Sequence, residues 1–221
     1  MRNTVLYTYD NIYMATTDIW LGMVMVFDTE HAKTVGAVHT RLSWSPTGTS
    51  NWSWVDPGGL TGKSFIPLGG AGSFSSHIVF AADTPVPVPS EDAIRVYYMG
   101  GNGPHSGARN TSLGLMRLRM DGFAGLRGTG AFISRSVLCT GPVLRLTADV
   151  VAAGGSVSVG LAGRGAAGLS VADASPIVAN TTDGAMVFHG GKDFRSLVGK
   201  QVTLDIEIKD AMLFTVGFFS K

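Results

Sequence analysis

The sequence predicts an all-β chain in two parts, and three observations carry that expectation. Helical periodicity is nearly absent, with no long stretch of apolar residues at i, i+3, i+4 and i+7. Short runs rich in Val, Ile, Thr and aromatic residues recur instead, separated by clusters of Gly, Pro, Ser and Asn. Composition agrees: 221 residues include 30 Gly and 9 Pro with only 15% charged side chains, a balance that suits strands joined by many turns.

The first strong run is "IWLGMVMVF", Ile19 to Phe27. It is far shorter than the ~20 apolar residues of a membrane span and reads as a buried strand. From Val38 to Trp44, "VHTRLSW" alternates between two faces, "SPTGTSN" turns the chain and "WSWV" returns it. In that hairpin Trp44, Trp52 and Trp54 are expected to pack across strands. "SHIVFAA" (Ser76 to Ala82) is the next strand, followed by "DTPVPVPSED", which its prolines at 85, 87 and 89 confine to an edge or a loop.

"AIRVYYMG" and "TSLGLMRLRM" then flank a polar segment holding Gly100, Gly101, Gly103, Pro104, His105, Gly107 and Arg109. A hairpin needs about two to five turn residues, and this connection is about twice as long, which marks it as a candidate site. After "DGFAGLRGTG" (Asp121 to Gly130) the strands become more aliphatic and their turns simpler. The domain boundary is placed at about Gly128 to Thr140, giving domains 1–130 and 131–221. "LRLTADV" and "VTLDIEI" alternate as in a sandwich with one wet face per sheet. "DFRSLVGK" is expected to form one helical turn, capped by Asp193 and stopped by Gly199.

Charge and motif content narrow the partners. Net charge is +1 with no Lys/Arg run, so neither nucleic acid nor an anionic membrane surface is expected as a partner. Cys139 is the only cysteine, which excludes an intrachain disulfide and a cysteine metal cluster. The 5 His form no H-E-x-x-H or paired-ligand spacing, so no metal and no cofactor is expected. "GGLTGKS" (Gly58 to Ser64) imitates only the end of a phosphate loop and lacks a following helix. A nucleophile elbow is absent as well. The N-terminus lacks the basic-then-apolar layout of a secretory signal, yet Asn51, Asn110 and Asn180 all begin N-x-S/T triplets. The expectation drawn is an extracellular or cell-surface glycoprotein.

The hairpin "SWSPTGTSNWSWV" resembles the outer hairpin of a β-propeller blade, where a Ser-x-Asp-Gly-x-x-Trp turn recurs. Ser45, Gly48 and Trp52 are present, while Thr47 stands where Asp is usual and the spacing is longer. On a larger scale, "IYMATTDIWLGMVMVFDTE", "VHTRLSWSP", "FIPLGGAGSFSSHIVFAADTPV" and "EDAIRVYYMGGNGPHSGARNTSLGLMRLRMDGFAGL" follow in the order of the last blades of five-bladed propeller proteins resembling glycoside hydrolase families 32 and 43. The segment from "TGPVLRLTADVV" to "AMLFTVGFF" is similar to the C-terminal β-sandwich of those proteins. Together these stretches cover nearly the whole chain. The resemblance implies a partial propeller of two to three blades, at about 40 to 50 residues each, followed by a jelly-roll-like β-sandwich.

The same resemblance implies where catalysis would lie. In the related hydrolases the nucleophilic carboxylate comes from the first blade and the acid/base from a middle one, and none of "WMNDPNG", "RDP" or an "EC" acid motif occurs here. The N-terminal blades are therefore expected to be missing from this chain. Glycoside hydrolysis needs two carboxylates about 5 to 9.5 Å apart. Candidates are Asp10, Asp18, Asp28, Glu91 and Asp92, of which Asp18, just before "IWLG", is the best placed. In the long loop His105, Arg109 and Asn102 are the candidate ligand contacts, since guanidinium, imidazole and amide supply the donors and acceptors that sugar hydroxyls use. His39 and His77 lie on strands and face either a propeller axis or a core.

Three readings follow. The first is a carbohydrate-directed, non-catalytic protein in which other chains cover the open blade edges, by oligomerisation or association. The second is a fragment of an active glycoside hydrolase. The third is a structural subunit that binds only protein.

Overall fold

The computed structural model describes residues 5–10, 19–28, 36–163 and 166–220. It is all-β, with 50% strand and 7% helix, and its curled sheets include a half-barrel. Helix among the described residues is limited to short 3-10 turns, as the missing 3.6-residue period requires. The chain divides into two compact units, Met1–Met120 and Asp121–Lys221.

In the first unit β1 (Val5–Asp10), β2 (Trp20–Phe27), β3 (Val38–Ser45) and β4 (Ser53–Trp54) are antiparallel neighbours in sequence order. β5 (Ile78–Ala81) and β6 (Val86–Val88) pair with successive stretches of β7 (Ala93–Gly101). β8 (Thr111–Arg119) pairs antiparallel with the whole of β7. Two meanders are thus joined into one eight-stranded sheet through a single parallel pair, Val38 with Ile78. The prolines explain the placement of β6: Pro87 has no N–H to give, and the strand sits at the end of the sheet order.

β2 is the apolar run read as a buried strand, and its residues from Leu21 to Val26 are all buried. Met25, Val38 and Ile78 form a small core with Phe27, Phe80 and Met99 packed on it. The β3–β4 hairpin is set by hydroxyls. Ser45 Oγ accepts from the amides of Thr47 (3.1 Å) and Gly48 (3.0 Å), and Thr47 Oγ1 accepts from the Ser50 amide at 3.2 Å. Thr47 therefore performs the turn-closing bond that an Asp carboxylate makes in an Asx turn. Gly48 has φ +73°, and a Cβ there would meet the Trp20 ring at 2.6 Å.

The expected cross-strand stacking of tryptophans does not form as read. Register pairs Trp44 with Ser53 and Trp54 with Ser43, so Trp44 and Trp54 leave opposite faces of the ribbon. Trp54 lies against Gly59 instead.

The second unit begins with β9 (Leu126–Ile133), then β10 (Val137–Leu138), β11 (Val143–Val150) and β12 (Ser156–Leu161). It continues with β13 (Ala174–Ser175), β14 (Thr181–Ala185), β15 (Val187–Phe188), β16 (Gln201–Val202) and the long β17 (Leu204–Phe219). β9 pairs with β17, which is why residues 121–130, placed in the first domain by sequence, lie in the second unit. β12 and β11 pair with successive halves of the other edge of β17. Between them sits a bulge at Asp210, where φ is +42°, and Thr129 holds it. Its Oγ1 donates to Asp210 Oδ1 and accepts from the Asp210 amide, both at 3.0 Å.

Alternation in β17 decides the core: Leu204, Ile206 and Ile208 are buried while Asp205 and Glu207 are not. The centre is Phe194, fully enclosed, with Phe188 and Phe218 set edge-on at 5.4 and 5.1 Å. The predicted turn is present as Arg195–Leu197. Asp193 Oδ1 accepts from the Arg195 amide at 2.9 Å, and Gly199 takes φ +83°.

Candidate functional site

The connection from Gly101 to Asn110 is a closed, internally bonded loop. Its base is shut by Asn102, whose amide donates to Asn110 O (3.2 Å) and whose Oδ1 accepts from the Asn110 amide (2.8 Å). Inside it, Arg109 Nη1 donates to His105 O at 2.6 Å and lies 3.3 Å from the carbonyls of Pro104 and Gly107. The loop is also tied down, since the His105 amide donates to Gly36 O at 2.8 Å. Gly36 has φ +82°, and a Cβ there would strike Pro104 at 2.7 Å, so only glycine permits this approach.

The candidate ligand contacts thus play different parts. Arg109 uses Nη1 on carbonyls of its own loop, and Asn102 uses its side-chain oxygen to close the base. His105 is left with an exposed imidazole, backed by Phe27 at 5.2 Å and Phe80 at 6.1 Å between ring centres.

The strand histidines are elsewhere. His77 bridges strands through its backbone, donating to Gly101 O (3.0 Å) and accepting from the Val38 amide (2.8 Å), while its Nδ1 lies 3.0 Å from Ser76 Oγ. His39 Nδ1 lies 3.3 Å from Ser64 Oγ. Phe27, which backs His105, is the register partner of Val38, and His39, one residue on, points to the other face of the sheet. The structure therefore separates His39 from His105 and Arg109.

Beside His39, on its face of β3, is Arg41, which sequence reasoning passed over. Its side chain is 8% exposed, and Nε and Nη1 are enclosed with no hydrogen-bond partner among the described residues. Burial pushes its pKa down, and the carboxylates of Asp56 and Asp28 push it back up. Val55 N donates to Leu42 O and Phe65 N to Thr40 O, so Arg41 sits where the segment between them leaves the edge of β3. The available signal was a charged residue inside an alternating strand both of whose faces are buried.

Among the carboxylate candidates, Asp18 lies outside the described residues. Asp10 is the register partner of Trp20, with its side chain outside that description. Asp28 follows β2 and bonds through its backbone to Gly36 and Ala37. Glu91 and Asp92 are exposed. Glu91 pairs with Arg95 and receives Arg117 Nη2 on its carbonyl at 2.7 Å, and Asp92 takes φ +48°.

The sequon asparagines are all exposed. Asn51 stands in the hairpin turn with φ +57°, Asn110 at the loop base, and Asn180 accepts the Val150 amide on Oδ1 at 2.9 Å. Among the described residues no group of three His, Cys, Asp or Glu stands together as a metal site. No helix among them is long and apolar enough to cross a membrane. No protein-family model, curated protein or solved structure matches this chain.

Proposed function

We propose that the chain is a carbohydrate-directed, non-catalytic binding protein of the cell surface or exterior, built from blades of a glycoside hydrolase-like propeller followed by a β-sandwich. The observation that carries this reading is the 101–110 loop. Arg109 and Asn102 hold it closed, and the closed loop presents the exposed His105 ring on an aromatic backing. Preorganised loops and flat rings suit saccharides, because little ordering is left to be done on binding. Support for the blades comes from the two successive meanders and from Thr47 closing the turn where blades carry Asp.

Binding is favoured over hydrolysis because hydrolysis needs a pair of carboxylates about 5 to 9.5 Å apart, and the exposed Glu91 is taken up in ion pairs with Arg95 and Arg117. The test is a saccharide array probed with the full chain and with His105→Ala. The reading requires a wild-type signal that the variant loses at least tenfold, and an array blank for the wild type removes it.

A structural, protein-binding role is the second reading. Leu113 (80% exposed), Leu115 and its register partner Tyr97 form an apolar face on β7 and β8, of the kind that partner chains cover. A concentration-independent monomer mass in native solution counts against it.

A further inference from the structure

We propose that β8 pairs edge to edge with β8 of a second copy of this chain, antiparallel about a two-fold axis at Gly114, so that the sheets of two molecules run on as one. The proposal rests on the second reading above, in which a partner chain covers the β7–β8 face, and it names that partner.

The hydrogen bonds fix which groups β8 leaves open. On one side of β7, Ala82 N donates to Tyr97 O at 2.8 Å and His77 N to Gly101 O at 3.0 Å, so the odd-numbered residues of β7 bond towards β5. On the other side, Met120 N donates to Asp92 O and Asn102 N to Asn110 O, so the even-numbered residues bond towards β8. Register then couples Val96 with Met116 and Tyr98 with Gly114. The N–H and C=O groups of Thr111, Leu113, Leu115 and Arg117 are thereby turned away from β7, and among the described residues no strand other than β7 pairs with β8. The same residues are exposed, Leu113 at 80% and Leu115 at 50%. Nothing blunts this edge over 111–116, which has no proline, no bulge and no charge, both arginines of the strand lying beyond it at 117 and 119. Such an edge accepts an extended strand.

Its own sequence is the strand that fits. Antiparallel self-pairing must set odd-numbered residues of one copy opposite odd-numbered residues of the other, because those carry the open groups. An axis at Gly114 sets Leu113 opposite Leu115 of the second copy and Arg117 opposite its Thr111. Each such pair exchanges two hydrogen bonds, and the leucines of both copies cover one another beside Tyr97. An axis at Leu115 would set Leu113 against Arg117, one at Arg117 would set like charges opposite, and one at Leu113 would leave Leu115 against Thr111. The interface is isologous and small, so the dimer is reversible.

The test is sedimentation velocity of the full chain over a concentration series, for wild type, Leu113→Pro and Leu115→Lys, with Val178→Lys, at an exposed position of the second unit, as the control. Leu113→Pro removes an N–H that β7 does not use, and circular dichroism checks that each variant is folded. The expected result is a reversible wild-type dimer whose dissociation constant rises at least tenfold in both β8 variants and stays unchanged in the control. If Leu113→Pro does not fold, Leu115→Lys decides alone. Cysteine crosslinking reads the register. Leu113→Cys mixed with Leu115→Cys should give a disulfide dimer, since paired Cα atoms lie about 5.5 Å apart. Either variant alone should not, because its cysteines lie on the diagonal, about 7–8 Å apart. A dimer undisturbed by Leu115→Lys, or any crosslinking pattern but this one, overturns the proposal and leaves the partner-covered face in place. A wild-type monomer at every concentration overturns both.

Discussion

The guanidinium of Arg109 is bonded to the backbone of the loop that carries it, with Nη1 2.6 Å from the carbonyl oxygen of His105. That bond converts a glycine-rich connection into a fixed platform. Replacing Arg109 by Ala is expected to cost about 1–2 kcal/mol, because one short charge-assisted bond and two longer ones are lost. The sharper measurement is hydrogen exchange: the His105 amide, which donates to Gly36, should lose protection at least tenfold while amides of the second unit keep theirs.

Gly48 is expected to tolerate no β-branched residue. Its φ of +73° already costs a non-glycine residue about 1–3 kcal/mol, and the new Cβ would overlap the Trp20 ring. Gly48→Val should lower the denaturant midpoint of the first unit and change its tryptophan fluorescence. A wild-type midpoint would show that the turn does not set the hairpin.

In the second unit Phe194→Ala should be among the most damaging single changes, costing about 3–5 kcal/mol. Phe194 is fully enclosed and its ring touches both Phe188 and Phe218. Chemical denaturation followed by circular dichroism checks the magnitude, and Phe194→Leu, which keeps most of the volume, should recover part of the loss.

Cys139 is enclosed and its thiol donates to Gly141 O at 3.3 Å, and burial pushes its pKa up. The native thiol should stay protonated and resist iodoacetamide near pH 8, reacting only on unfolding. The sign of the linkage follows. A raised native pKa contributes stability that is complete below the unfolded thiol's value of about 8.5 and is lost as pH rises towards the native one. Cys139→Ala should flatten that alkaline decline, and an unchanged profile would assign it to other groups.

The succession of short strands along the chain, the alternation of β17, the edge position of Pro87 and the turn at Arg195 were legible in the sequence, because each is a local matter of period, φ restriction or capping. The length of the 101–110 connection marked it as more than a turn for the same reason. The division of the units was not legible at 121–130. Nothing local in "DGFAGLRGTG" states that its continuation, β9, pairs with β17, a strand more than seventy residues further on. Trp44 and Trp54 were misread likewise, since a run of aromatics does not disclose the register that sends them to opposite faces.

What the sequence by itself determined is the class: all-β, two parts, with a loop too long to be a hairpin turn and chemistry-bearing residues named within it. Only the tertiary structure decided what those residues do. Pairing of distant strands put His39 and His105 on opposite faces of one sheet, gave Arg109 to its own loop, and enclosed Arg41 on β3. The physical reason is that residue type and spacing fix local backbone preference, whereas hydrogen-bond partners and burial depend on which strands meet.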